Sequence, residues 1–246
     1  MGTQVVEIRT PDGTAPCVFV TPPGPGPWPG VMFFMDALGV RPALVRMAKR
    51  LASHGYAVLL PDLHYRARPE QRFVLARVMS DAAERERMLR LVAARTTERA
   101  TVDGAAFAEF LAREPRVRGP AFGCVGYCMG GGVALAAAAS LPERIAAAAS
   151  IHGARLATDA PDSPHRLAPK LRAELYVGVA EIDPFLAPNE TARLRDALVT
   201  AGVKHEIEVH AGAEHGFAVT GFPVYQAAAA ERHWQRVLAL FERALR

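Results

Sequence analysis

Three residues far apart in the chain, Cys128, Asp183 and His215, are of the types needed for nucleophilic acyl transfer. A thiolate attacks a carbonyl, an imidazole takes and returns the proton, and a carboxylate orients the imidazole and steadies its charge. Cys128 has the most informative surroundings. It sits in Gly126-Tyr127-Cys128-Met129-Gly130-Gly131, between the apolar run Ala121–Val125 and an Ala-rich helical pattern over Val133–Ala139. A strand, a sharp turn and a helix in that order put Cys128 at an apex with a strained backbone. Such a turn leaves room only for small residues two before and two after, and Gly126 and Gly130 stand there. The helix N-terminus favours a thiolate through its dipole and free N–H groups. Taken alone, the six residues also suit a glycine-rich turn around an inert, buried cysteine.

The elements that must position these residues follow from apolar patterning. Thr3–Arg9 and Cys17–Thr21 are β-like runs joined at the turn Pro11-Asp12-Gly13. Val31–Met35, Tyr56–Leu60, Ala121–Val125, Ile145–Ile151, Glu174–Val179 and Lys204–His210 read as strands. Between them lie helical patterns over Arg41–His54, Thr97–Arg113, Val133–Ser140, Asn189–Ala201 and Val224–Leu245. Asp81-Ala82-Ala83-Glu84 resembles a capping box. Over Thr97–Arg113 the helical spacing puts Val102, Ala106, Phe107, Phe110 and Leu111 on one face. Alternating strands and helices predict an α/β domain with a mainly parallel central sheet flanked by helices on both faces. One domain over residues 1–246 is expected, with an insertion or lid at about 64–96.

In an open α/β sheet, ligands gather beyond the C-terminal strand ends. The polar residues just after the strands are Asp36, Asp62, His64, Cys128, His152, Asp183 and His215. The order nucleophile, acid, histidine is that of the α/β-hydrolase triad. Two backbone N–H groups must receive the developing oxyanion, and Ala37 and Met129 stand at the right places. His152 either lines the pocket or is a satisfied strand-end histidine. His64 and Tyr65 are expected at the pocket wall, and Asp62 as a structural loop carboxylate.

Composition narrows the classes. The chain has 246 residues, a net charge of +4, and lysine only at 49, 170 and 204. Its arginines alternate with acids, as in Glu84-Arg85-Glu86-Arg87, which reads as a solvated helix face rather than a nucleic-acid site. Cys17, Cys124 and Cys128 show neither a disulfide rhythm nor paired metal-ligand spacing, so no metal or cofactor is expected. There is no signal-like N-terminus and no long apolar run, so a cytoplasmic protein without membrane contact is expected, as monomer or homodimer.

With these residues in place, the chain resembles the dienelactone hydrolase family over nearly its whole length. The matching pieces are Phe34-Met35-Asp36-Ala37-Leu38-Gly39, Ala57–Leu63, Val125–Gly131, the Asp183-Pro184 loop and Glu214-His215-Gly216-Phe217. The resemblance implies a single-domain α/β hydrolase with a Cys–His–Asp triad that cleaves enol-lactones or other small esters through a thioester. Two departures stand out. Asp36 replaces a glutamate that approaches the resting nucleophile in dienelactone hydrolase itself, so gating of Cys128 by this carboxylate is an open question. Val219 stands where an arginine helps hold a substrate carboxylate, which leaves Arg41, Arg66 or the insertion arginines as clamp candidates. The competing readings are another thiol-dependent acyl-transfer enzyme and a catalytically silent protein binding a small ligand in the same pocket.

Overall fold

The computed structural model describes residues 1–67 and 73–246. Its strands are β1 (Gly2–Thr10), β2 (Gly13–Thr21), β3 (Trp28–Phe34), β4 (Ala57–Pro61), β5 (Val117–Tyr127), β6 (Ile145–Ile151), β7 (Glu174–Ile182) and β8 (His205–Glu214). They form one eight-stranded sheet in the order β1-β2-β4-β3-β5-β6-β7-β8. The first pairings, β1 with β2 and β2 with β4, are antiparallel; the remaining ones are parallel. The chain therefore runs outward to β4 on one side and from β5 to β8 on the other. The reversal falls between β3 and β5, which opens a crevice at their C-terminal ends.

The helices are α1 (Pro42–Ser53), α2 (Leu75–Ser80), α3 (Ala82–Ala94), α4 (Thr97–Arg113), α5 (Met129–Ser140), α6 (Glu190–Thr200) and α7 (Ala227–Leu245), with a 3-10 turn at Pro164–Lys170. Helix α5 is buried from Met129 through Ala139. Its alanines let it lie close to the sheet and to α4, where a Cβ on Gly104 would stand 3.2 Å from the Ala137 Cβ. On the other face of β5, a Cβ at Gly123 would meet Phe241 of α7 at 2.9 Å. Helices thus cover both faces, and the core lies in two layers about the parallel strands. No helix of the described residues is long and apolar enough to cross a membrane.

Several elements differ from the sequence expectation. Strands β7 and β8 run on to Ile182 and Glu214, so Asp183 and His215 follow their last residues directly. Helix α4 has the expected bounds, but its buried face is turned. Asp103 is buried beside Phe107 and Leu111, while Val102, Ala106 and Phe110 are half-buried. The turn is explained by Arg66, whose guanidinium grips both Asp103 oxygens at 2.7 and 2.8 Å.

The region expected as an insertion or lid contains α2 and α3; its residues 68–72 lie outside the described residues. Asp81 caps α3, accepting from the N–H groups of Ala83 and Glu84 at 2.9 and 3.3 Å. No residue of α3 is buried. Its Met88 and Leu91 pack with Leu75 on a small cluster of Leu38, Phe73 and Val78, next to the loop after β3.

Candidate active site

Cys128 stands between β5 and α5 with φ 55° and ψ −121°, a conformation costly for any side chain. The fold holds it by backbone bonds. Its N–H donates to the Ile151 carbonyl at 3.1 Å, and its own carbonyl accepts from Gly131 at 3.0 Å. The flanking glycines are required by close approach. A Cβ on Gly126 would lie 1.8 Å from the Gly130 carbonyl oxygen, and one on Gly130 would lie 2.6 Å from those of Phe34 and Met35. Neither contact ends on a flexible side chain, so the backbone itself would have to move. Gly126→Ala is expected to cost about 3 kcal/mol or more. For a chain of this size that lowers Tm by roughly 6–12 °C, readable by calorimetry.

Three strands along the sheet, the His215 N–H donates to the Ile182 carbonyl at 3.1 Å, which sets the histidine against the neighbouring Asp183. Its Nδ1 lies 2.7 Å from Asp183 Oδ2, and the Phe185 N–H donates to the other carboxylate oxygen at 2.9 Å. Both side chains are nearly sealed, 10% and 2% exposed, so the pair is little screened by water. Nδ1 therefore carries a proton and Nε2 is free for other work. Nε2 is buried and has no regular hydrogen-bond partner among the described residues. Burial pulls the His215 pKa down, but the hydrogen bond with Asp183, the nearby Cys128 sulfur and the charges of both carry it up to about 10. Cys128 thus acts on His215 electrostatically even though no well-formed hydrogen bond joins them.

The imidazole is packed on two sides. The Phe185 ring lies 4.8 Å from it and the His152 ring 5.1 Å, centroid to centroid. His152 adopts φ 38°, and its N–H donates to the Gly178 carbonyl at 2.7 Å. Both its ring nitrogens are buried without a partner among the described residues. Burial, then the charges of His215 and His233, push its pKa well below the usual imidazole range. His152 is thus a neutral wall of the His215 pocket. An open cleft of about 540 Å³ reaches His215 and is lined by Ile182, Asp183, Pro184, Phe185 and Glu214. Phe185 carried no sequence signal beyond its place in the Asp183 loop.

On the other side of Cys128, the loop after β3 is held by polar groups. Arg41 donates to both Asp36 oxygens at 2.6 and 2.7 Å, and the Leu38 N–H donates to the first of these at 3.0 Å. Asp36, whose gating of Cys128 the sequence leaves open, is held by this bidentate pair. His64 Nε2 lies 3.0 Å from the Ala37 carbonyl. Burial holds His64 below the usual imidazole range, so it is neutral and Nε2 is the donor to that carbonyl. The Ala37–Leu38 peptide is thereby fixed at both ends. The Ala37 N–H makes no hydrogen bond with the described residues. The Met129 N–H, at the first position of α5, has no intrahelical partner. Both candidate oxyanion donors are thus unclaimed.

Other candidates are committed elsewhere. The Tyr65 hydroxyl is hydrogen-bonded to Thr10 and Asp103 at 2.6 and 2.8 Å, making it a strut between β1 and α4 rather than pocket wall. Arg66 binds Asp103 and Asp12, and Arg41 binds Asp36, so neither is free to clamp a substrate carboxylate. Asp62 accepts from the His64 N–H at 2.9 Å, as a loop carboxylate. No group of three or more potential metal-binding His, Cys, Asp or Glu side chains occurs among the described residues.

This site can be set beside known proteins. A model of the dienelactone hydrolase family matches residues 16–245. The chain belongs to the dienelactone hydrolase family. It is therefore a dienelactone hydrolase-like enzyme, a hydrolase by class. A Rhodococcus opacus carboxymethylenebutenolidase is 27% identical over 98% of this chain and 92% of its own. A Synechocystis protein provisionally named carboxymethylenebutenolidase is 28% identical over 90% of this chain and 88% of its own. The fold is matched by a Klebsiella pneumoniae structure provisionally described as a dienelactone hydrolase. It has a TM-score of 0.83 and 24% identity, covering 99% of this chain and all of the other.

Proposed function

We propose that this dienelactone hydrolase-like enzyme cleaves small carboxylic esters or lactones through a thioester on Cys128, with His215 as base and acid and Asp183 as orienting carboxylate. The observation that carries this reading is the juxtaposition at one sheet edge. Asp183 holds His215 Nδ1 at 2.7 Å, while the other ring nitrogen is left for a cysteine at a strained strand–helix apex. The homologues' names, carboxymethylenebutenolidase, support lactones among the substrates. The open cleft beside His215 carries the apolar side chains of Ile182, Pro184 and Phe185, which suit an uncharged leaving group.

The proton balance follows from the electrostatics. In the resting pair the Cys128 charge helps raise His215, so the imidazole holds its proton through neutral pH. Attack converts the thiolate to a neutral thioester and removes that support. The imidazolium becomes a stronger acid at the moment the leaving oxygen needs a proton. Neutral His215 then takes a proton from water as it attacks the thioester, and keeps it as the sulfur departs as a thiolate, which restores the resting pair. The N–H groups of Ala37 and Met129 receive the oxyanion in both steps.

Thiol titration tests this against a silent binding protein. Burial pushes the Cys17 and Cys124 thiols far up, and both are sealed. Cys128 is half-buried. Iodoacetamide at pH 7 is expected to modify one thiol of three and to abolish ester hydrolysis in parallel. Full activity after stoichiometric labelling of Cys128 would remove the nucleophile from the scheme.

A further inference from the structure

The turn after β7 reads Asp183-Pro184-Phe185-Leu186-Ala187-Pro188. Its prolines have no N–H, so the backbone donors left after Asp183 are those of Phe185, Leu186 and Ala187. Phe185 donates to Asp183 Oδ1 at 2.9 Å, and Leu186 to the Asp183 carbonyl at 3.2 Å. Ala187 donates instead to Glu190 Oε1 at 3.1 Å, and the Glu190 N–H donates back to the Ala187 carbonyl at 2.9 Å. The near end of the turn is thus tied to Asp183 and the far end to Glu190.

Glu190 opens α6, where the helix dipole favours a carboxylate. A glutamate is rarely buried without partners, and this one is only 5% exposed. Its second oxygen, Oε2, accepts from the Ala157 N–H at 3.1 Å, in the loop that continues from His152. Ala157 is sealed from solvent, so without Glu190 that N–H would be left unpaired. One turn along α6, Arg193 donates to the Ala157 carbonyl at 3.2 Å and to Asp159 at 2.6 Å. The Glu190 carboxylate therefore joins two loops. One carries Asp183, and the other carries His152, the wall of the His215 imidazole. Arg193 grips only the second.

We propose that Glu190 is a positioning residue for the reaction: by holding the Asp183 turn against the loop of His152, it keeps the Asp183 carboxylate on His215 Nδ1. This rests on Asp183 being the orienting acid. The contact at stake is the 2.7 Å one between Asp183 Oδ2 and His215 Nδ1. A carboxylate suits the place because both of its partners are N–H donors, and it accepts at both oxygens. A glutamine has one acceptor and would meet the other N–H with a donor of its own. Misplacing a catalytic group by about 1 Å can cost on the order of 100-fold in rate. Glu190 acts through Asp183 and His215, so its effect falls on kcat rather than on KM.

Steady-state kinetics on a chromogenic acetate ester, repeated across pH, tests it. Glu190→Gln is expected to lower kcat by about tenfold or more with KM within about twofold of wild type. The alkaline limb of kcat/KM is expected to move to lower pH, because a displaced Asp183 supports the His215 imidazolium less. The other groups facing His215, Cys128 and the neutral His152, are unaltered by the substitution. Arg193→Gln loosens Ala157 and Asp159 but leaves the Ala187 bond to Glu190 in place. It is expected to keep kcat within about twofold and the limb unmoved, whatever its effect on Tm. Glu190→Asp keeps the charge and shortens the reach. It is expected to lie between wild type and Glu190→Gln, and it reads the same two quantities should Glu190→Gln not fold. A folded Glu190 variant with wild-type kcat and an unmoved limb overturns the proposal, and so do equal losses in Arg193→Gln. Wild-type kcat in Asp183→Asn would instead place the failure in the triad assignment.

Discussion

Cys128→Ala is expected to lower kcat for ester hydrolysis by about 10⁴-fold or more, while leaving the fold intact. The substitution keeps a Cβ at the apex, so the backbone strain at φ 55° is unchanged and the elbow bonds to Ile151 and Gly131 remain. What is lost is the atom that forms the acyl-enzyme. The unclaimed N–H groups of Ala37 and Met129 would still polarise a carbonyl, so a small residual rate above water is expected from oxyanion binding alone. Steady-state kinetics on a chromogenic acetate ester, with a melting curve beside it, separates loss of chemistry from loss of fold. A large fall in kcat with Tm within about 2 °C of wild type is the expected pair of results.

Asp183→Asn should cost about 10³–10⁴-fold in kcat. The amide keeps the shape of the side chain and its bond from the Phe185 N–H, but it no longer favours a protonated His215 or fixes which ring nitrogen bears the proton. The sign of the pH effect follows. A base whose pKa is raised in the folded protein keeps its proton below that value and loses it as pH rises through it. In the wild type, His215 is raised from 6.5 to about 10 by Asp183 and Cys128 against the pull of burial. The alkaline limb of kcat/KM is therefore expected near pH 10. Removing the Asp183 charge moves that limb to lower pH. A limb that stays in place in Asp183→Asn would show that another group holds His215.

Much of this site is legible in the sequence because its determinants are local. The elbow needs Gly126 and Gly130 within two residues of Cys128, and the structure supplies the reason, backbone oxygens within 1.8 and 2.6 Å of the would-be Cβ atoms. The Asp81 cap and the bounds of α4 are local in the same way. What is not legible depends on partners distant in the chain. Asp103 looks like a solvent residue of α4 until Arg66 and Tyr65 reach it from 37 and 38 positions away. Asp36 follows β3 as a gating candidate, but Arg41 takes both its oxygens. The ends of β7 and β8 carry Glu181 and Glu214, exposed charges that hide the strand pattern. Arg95 is one of many arginines in a polar stretch. Only the folded chain shows its Nε sealed with no partner among the described residues.

The central claim is a covalent acyl group on Cys128. Intact-mass spectrometry after rapid mixing with a slowly turned-over ester, followed by peptide mapping, tests it most directly. The expected result is one added acyl mass on the peptide carrying Cys128, absent in Cys128→Ala and decaying as product forms. An acyl mass on another residue during turnover, or turnover by Cys128→Ala at the wild-type rate, would contradict it.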